Sequence, residues 1–80
     1  MLIVKKSGVK RMPKITDMIK SWKYNSHGAG IAYSKVGEDK VHWVKGLMSF
    51  SHFIDTYEEL PFQDSPEDYV IAIHFRYATQ

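Results

Sequence analysis

The stretch Tyr69-Val70-Ile71-Ala72-Ile73-His74-Phe75-Arg76-Tyr77 decides the fold, because its side chains separate cleanly into two sets. Tyr69, Ile71, Ile73, Phe75 and Tyr77 fall on one side of an extended chain, and Val70, Ala72, His74 and Arg76 on the other. A β-strand with one deeply apolar face is therefore expected, with His74 and Arg76 projecting together from its other face. Working outward, Pro61-Phe62-Gln63-Asp64-Ser65-Pro66-Glu67-Asp68 reads as a loop. Before it, Phe50, Phe53, Ile54 and Tyr57 recur at helical spacing behind Ser49 or Ser51 as cap and stop before Pro61. Further back, the segments Ile31–Val36 and Lys40–Gly46 alternate like two strands of a hairpin joined through Gly37-Glu38-Asp39. Ile15, Met18, Ile19 and Trp22, with lysines between them, predict an amphipathic helix over 14–24, with Pro13 at its first turn and Asn25, Ser26, Gly28 and Gly30 ending it. Leu2–Lys5 is an apolar, β-branched strand expected to be buried. The order is β-α-β-β-α-β in one α+β domain spanning 1–80, with an antiparallel-rich sheet and two helices; a ferredoxin-like split βαβ sandwich is one way to arrange it.

Composition narrows the function classes. Eighty residues, 44% hydrophobic and 25% charged, make one small core and exclude a multidomain enzyme. The chain has no cysteine, which removes disulfides, thiolate metal ligands and thiol nucleophiles together. No apolar run approaches the roughly 20 residues that a membrane span requires, and Met1 leads into Leu-Ile-Val before Lys5 and Lys6, the reverse of a secretory leader; a cytoplasmic protein is expected. The net charge of +2 hides a division. Up to Asn25, seven basic residues face Asp17 alone, whereas from Ser26 onward four basic residues face eight acidic ones. Lys10, Arg11, Lys14 and Lys23 lie outside the apolar helix stripe and are candidate partner-binding residues. Nucleic acid is the weaker alternative partner, because no aromatics interleave with these lysines as a stacking platform would require.

Three segments carry a family likeness: Asn25-Ser26-His27-Gly28-Ala29-Gly30-Ile31-Ala32-Tyr33, Val44-Lys45-Gly46-Leu47-Met48-Ser49-Phe50, and His74-Phe75-Arg76-Tyr77-Ala78-Thr79-Gln80. Together they resemble the N-terminal half of class II glutamine amidotransferases, whose N-terminal-nucleophile glutaminase domain often shows N-x-D-G-x-G-I-A-Y and later H-x-R-Y-A-T-x-G. The resemblance implies half of such a domain. It also implies that Arg76 and Thr79 stand where the family grips the α-carboxylate of glutamine, a task suited to the planar fork of a guanidinium. The family's nucleophile is a cysteine placed directly before such an apolar strand. Here Met1 takes that place, and a thioether can neither ionise nor form a thioester. These residues also lack the family's Asn-Gly oxyanion segment and its later amine-binding Asp, and His27 replaces the usual Asp. Small members occur in bacteriophages, which implies a host-directed regulatory or inhibitory role.

The expectation is thus a truncated, non-catalytic relative that binds a protein partner or a second copy, with no catalytic residues, cofactor or metal; a fragment of a working amidotransferase and a small basic nucleic-acid-binding module are the alternatives. Arg76 has a structural reading as well, a salt bridge to Asp64, Glu67 or Asp68. His74, with His42 and His27, forms a possible metal or acid/base set, but the three sit on separate elements with no carboxylate at ligand spacing. Trp22, Trp43, Phe50, Phe53 and Phe75 are expected in the core, with Met12 and Met18 as packing. With no thiol in the chain, glutamine incubated with the purified protein should release no ammonia above background. Turnover that survives repurification and disappears in Arg76→Ala would contradict this.

Overall fold

The computed structural model describes residues 1–77. Its elements are β1 (Leu2–Lys5), α1 (Ile15–Tyr24), β2 (Ala29–Lys35), β3 (His42–Leu47), α2 (Phe50–Glu59), two 3-10 turns at Pro61–Gln63 and Pro66–Asp68, and β4 (Tyr69–Phe75). The four strands form one sheet in the order β1-β4-β2-β3, every neighbouring pair antiparallel. It follows that β1 and β2 run parallel with β4 between them, and β3 and β4 run parallel with β2 between them. These are two interlocked split βαβ units. The sheet differs from the ferredoxin-like alternative, which centres on the first and third strands; here β2 and β4 hold the middle and β1 and β3 are edges.

The central strand behaves as its alternation predicts. Tyr69, Ile71, Ile73 and Phe75 are buried, while Val70 and His74 are exposed. Cross-strand pairs Ile31↔Ile73 and Ala32↔Ala72 carry the same division into β2, and Leu2↔His74 and Ile3↔Ile73 carry it into β1. Both helices cover the face that holds Ile31, Ile71, Ile73 and Phe75. Trp22 of α1 meets Phe75 edge-on at 6.2 Å and Phe50 of α2 at 5.8 Å, and Phe53 packs on Phe75 at 5.1 Å. Such aromatic pairs each add roughly 0.5–1.5 kcal/mol beyond burial. The aromatic chain continues through Tyr57 and Phe62 to Tyr33, so Phe62, from a segment that reads as a loop, is fully buried core.

Ser49 rather than Ser51 caps α2: its hydroxyl accepts from the His52 N–H at 3.1 Å. At the end of α1 the Asn25 N–H reaches the Ser21 and Trp22 carbonyls, as a helix stop should. Pro13 lies before the Lys14 cap rather than inside the first turn.

Three burial expectations are corrected. First, β1 is an edge strand, with Leu2 and Val4 exposed and only Lys5 fully buried. The Lys5 ammonium donates to the Lys6 and Val9 carbonyls at 2.8 Å each, which makes its burial tolerable and ties down the following loop. Burial still pushes its pKa below the ordinary lysine range, against a smaller opposing pull from Glu67. Second, α1 buries Met18 and Ser21 with Trp22 half-buried, whereas Ile15 and Ile19 stay exposed, because the face that sits on the sheet is centred one position round from the stripe. Third, Trp43 is 64% exposed, since its partner across the sheet is Ala32 on the uncovered face.

Among the described residues the buried Tyr57 hydroxyl has no hydrogen-bond partner; the Gln63 amide donates to the Tyr57 backbone carbonyl at 3.0 Å. Burial raises the phenol above the ordinary tyrosine range, and the nearby Gln63 side chain offsets this only in part. Tyr57→Phe removes the orphaned group without leaving a cavity and should raise stability by about 1 kcal/mol, seen as a higher urea midpoint at unchanged slope. A phenol that titrates higher folded than unfolded favours the fold below the ordinary tyrosine range and loses that contribution as pH rises through it. Above about pH 10 the parent should therefore lose stability more steeply than the Phe variant. A lowered midpoint in Tyr57→Phe would show that the hydroxyl is paired.

Candidate functional site

The uncovered face of the sheet follows from the even-numbered residues of β4 and their partners. Leu2 and Val4 of β1, Val70, Ala72 and His74 of β4, Gly30, Ala32 and Ser34 of β2, and Trp43 and Lys45 of β3 lie on it. No described element packs there. Leu2, Val4, Val70 and Trp43 are 60%, 55%, 44% and 64% exposed, and Val41 at the hairpin end is 57% exposed. Isolated exposed apolar residues are ordinary on a protein surface; these lie together on one face of the sheet. A shallow depression of about 230 Å³ between Ala32, Val41, Trp43, Val70 and Ala72 marks its middle.

At one end of this face the sheet opens into a second cavity, of about 290 Å³. The chain builds it from backbone pairing. Beyond the end of β4, the Arg76 N–H donates to the Gly28 carbonyl at 2.8 Å, and the His27 N–H donates to the Arg76 carbonyl at 3.0 Å. On the other flank the Phe75 N–H donates to the Met1 carbonyl at 2.9 Å, and the Met1 amino group donates to the Phe75 carbonyl at 3.1 Å. The Arg76 backbone is thus fixed between Gly28 and His27, one residue beyond the Phe75–Met1 pair. Gly28, with φ of 123°, admits no ordinary side chain, and a Cβ there would come within 3.2 Å of the Met48 sulfur. His27 stacks on Tyr77 at 5.7 Å. Lys45 lies 5.4 Å from the centre of the Trp43 ring, a cation–π contact that holds its ammonium at the rim.

The expected Arg76 salt bridge is not formed among the described residues, where the sole acid–base contact within 4 Å is His42 with Glu38 at 3.9 Å. Glu67 and Asp68 precede β4 while Arg76 follows it, and at about 3.3 Å per residue the length of the strand separates them. Thr79, the other expected carboxylate-gripping residue, lies outside the described residues. His74 and His27 share the cavity wall, but His42 stacks on Tyr33 at 5.0 Å near the other end of the sheet, so the three histidines do not converge. Among the described residues no cluster of three or more His, Asp or Glu side chains could hold a metal ion.

Lys10, Arg11, Lys14 and Lys23 are all exposed, but they do not form one patch. Arg11 and Lys14 line a cleft of about 430 Å³ against β1, shared with Asp17. Lys23 stands at the far end of α1, about 13 Å along its axis from Lys14. Lys45, Trp43, Gly30 and Met48 escape a reading of single segments, because they come together only when β3 is laid beside β2. The signal lay in the hairpin pairing.

No protein-family model matches the chain, and neither a curated protein nor a solved structure does.

With its guanidinium unpaired among the described residues, Arg76→Ala should change the unfolding free energy by under about 0.5 kcal/mol, the scale of an ordinary surface substitution. A loss several times larger in thermal or denaturant unfolding would show that the guanidinium is a structural partner.

Proposed function

We propose that this chain is a non-catalytic, amidotransferase-like domain that works by binding protein through its uncovered sheet face, and that the occupant of that face is a second copy of the chain. The observation that carries this is the contiguous exposure of Leu2, Val4, Trp43 and Val70 on one face of a sheet whose other face is fully covered. The absence of cysteine from all 80 positions argues against thiol chemistry in this stretch. The likeness to the glutaminase half-domain supports the same reading, since a scaffold that keeps its sheet and lacks its nucleophile retains a surface rather than a reaction.

Two features favour a second copy. The first is size. Four strands about 4.8 Å apart and four to seven residues long give a planar footprint of roughly 400 Å² per copy. Before the relief of Trp43, Leu2 and the valines is added, this is about half of the roughly 800 Å² per partner of a standard interface, the scale of a weak, concentration-dependent association. The second is charge. Arg76 and Lys45 stand at one end of the face, while Glu38, Asp39, Glu67 and Asp68 stand at the other, in the hairpin turn and the turn before β4, with Lys5, Lys6, Lys35 and Lys40 among them. A two-fold axis lying in the interface and crossing the strands would set the Lys45 and Arg76 end of each copy over those carboxylates of the other. Such a contact is isologous and closes at two copies.

Val4→Glu and Val70→Glu place charge on the face without touching the core, so each should abolish self-association in sedimentation equilibrium while shifting the melting temperature little. Dissociation by Ile19→Glu on α1, with the two valine variants still dimeric, would move the interface to the exposed helix flank. A parent that is monomeric at all concentrations would remove the second copy as occupant.

A further inference from the structure

We propose that the cavity at the Arg76 end of the open face is a phosphate-monoester site formed by Lys45, His74 and Arg76 over a floor of Gly30. Register is the starting point. Gly30 pairs with His74 across β2 and β4, and on the other side β3 brings Lys45 alongside, one residue past the Ile31↔Val44 pair. The β2–β3 register shifts between Ala29 and Ile31, so Lys45 and Gly46 both stand opposite Gly30, and the glycine has Lys45 on one flank and His74 on the other. Two strand spacings, roughly 10 Å, separate the flanking backbones. Two polar side chains at that separation leave room between them for one tetrahedral anion, the missing side chain at Gly30 supplies the depth, and the Lys45 ammonium stands at the rim over Trp43. Arg76, two residues beyond His74, closes the end of the row, with its backbone pinned to Gly28 and His27.

The chemistry of the lining selects the ligand. Two permanent cations, Lys45 and Arg76, and two imidazoles, His27 and His74, line the cavity, and among the described residues no carboxylate does. The neighbouring cleft against β1 differs, because Asp17 shares it with Arg11 and Lys14. A monocarboxylate would answer one of the two cations. A phosphate monoester, with close to two charges at neutral pH and three acceptor oxygens, answers both and leaves an acceptor for His74. At about 290 Å³ the cavity takes a phosphate with a small substituent and little more. Exposed Trp43 and Met48 at its margin offer that substituent apolar contact. Phosphate here would also compete with the carboxylates of a second copy for Lys45 and Arg76, but its binding does not require that copy.

The test is titration of the dilute, monomeric full chain with inorganic phosphate, O-phosphoserine and glutamate at constant ionic strength, followed through the backbone amide signals of Gly28, Gly30 and Gly46 and by calorimetry. Saturable phosphate binding is expected, weaker by about tenfold or more in the paired variant Lys45→Ala/Arg76→Ala. Gly30→Val should abolish it by filling the floor while the chain stays folded, since Gly30 has no positive φ and its Cβ would meet only the Val44 carbonyl, at 3.4 Å. Phosphoserine binding tighter than inorganic phosphate would assign the site to a phosphorylated side chain, and equal binding to free phosphate. Binding that does not saturate, survives the paired variant, or is stronger for glutamate than for either phosphate would overturn the proposal.

Discussion

Everything in this fold depends on the two-residue period of β4 at the centre of the sheet. Because β4 lies between β1 and β2, the side to which its odd residues point fixes which faces of both neighbours are inside. Ile71, Ile73 and Phe75 then define one surface for α1 and α2 to cover, while Val70, Ala72 and His74 define a second that neither helix reaches. A slip of one residue would exchange the two sets and place His74 under the helices, so the register is held by the cost of burying that imidazole as well as by the gain of burying Phe75. The covered face and the open one are consequences of the same alternation.

The open face has the composition of an interior without a second layer. A sheet with one apolar face on helices and one in water ordinarily carries polar residues on the wet side. Here Ser34, Lys45 and His74 are polar, but Leu2, Val4, Val70 and Trp43 are not. Its two edge strands limit their own pairing with other chains in different ways. β1 is only four residues long, and β3 is interrupted by an irregularity opposite Ala29–Ile31 and carries Lys45 and Gly46 near its end. Edge-to-edge growth is thereby disfavoured, and the association proposed above is face to face.

Much of the architecture is legible in the chain, and the reasons it is not all legible are physical. The alternation of 69–77, the hairpin around Gly37, and the Ser49 cap are local signals that tertiary contacts reinforce. Periodicity finds the apolar side of a helix without revealing what lies opposite, so Ile15 and Ile19 read as core although the sheet beneath α1 offers cover only to Met18, Ser21 and Trp22. Trp43 misleads for the same reason, being large and apolar on a strand whose uncovered face it happens to occupy. Phe62 is hidden by its prolines: Pro61 and Pro66 mark a loop correctly, yet a single 3-10 turn inserts the ring between Tyr33 and Tyr57. The cavity around Gly30 is invisible to any linear reading, because its walls come from β2, β3 and β4 and its floor is a side chain that is absent.

The central claim is that the even-numbered face of β4 is an interface, and its most direct test is a concentration series of amide and methyl NMR spectra from dilute to millimolar protein. The account predicts progressive changes at Leu2, Val4, Ala32, Trp43, Val70 and Ala72, with Ile31, Ile71, Ile73 and Phe53 unmoved. Spectra that do not change across the series, or changes confined to Ile15, Ile19 and Tyr24 on α1, would contradict it.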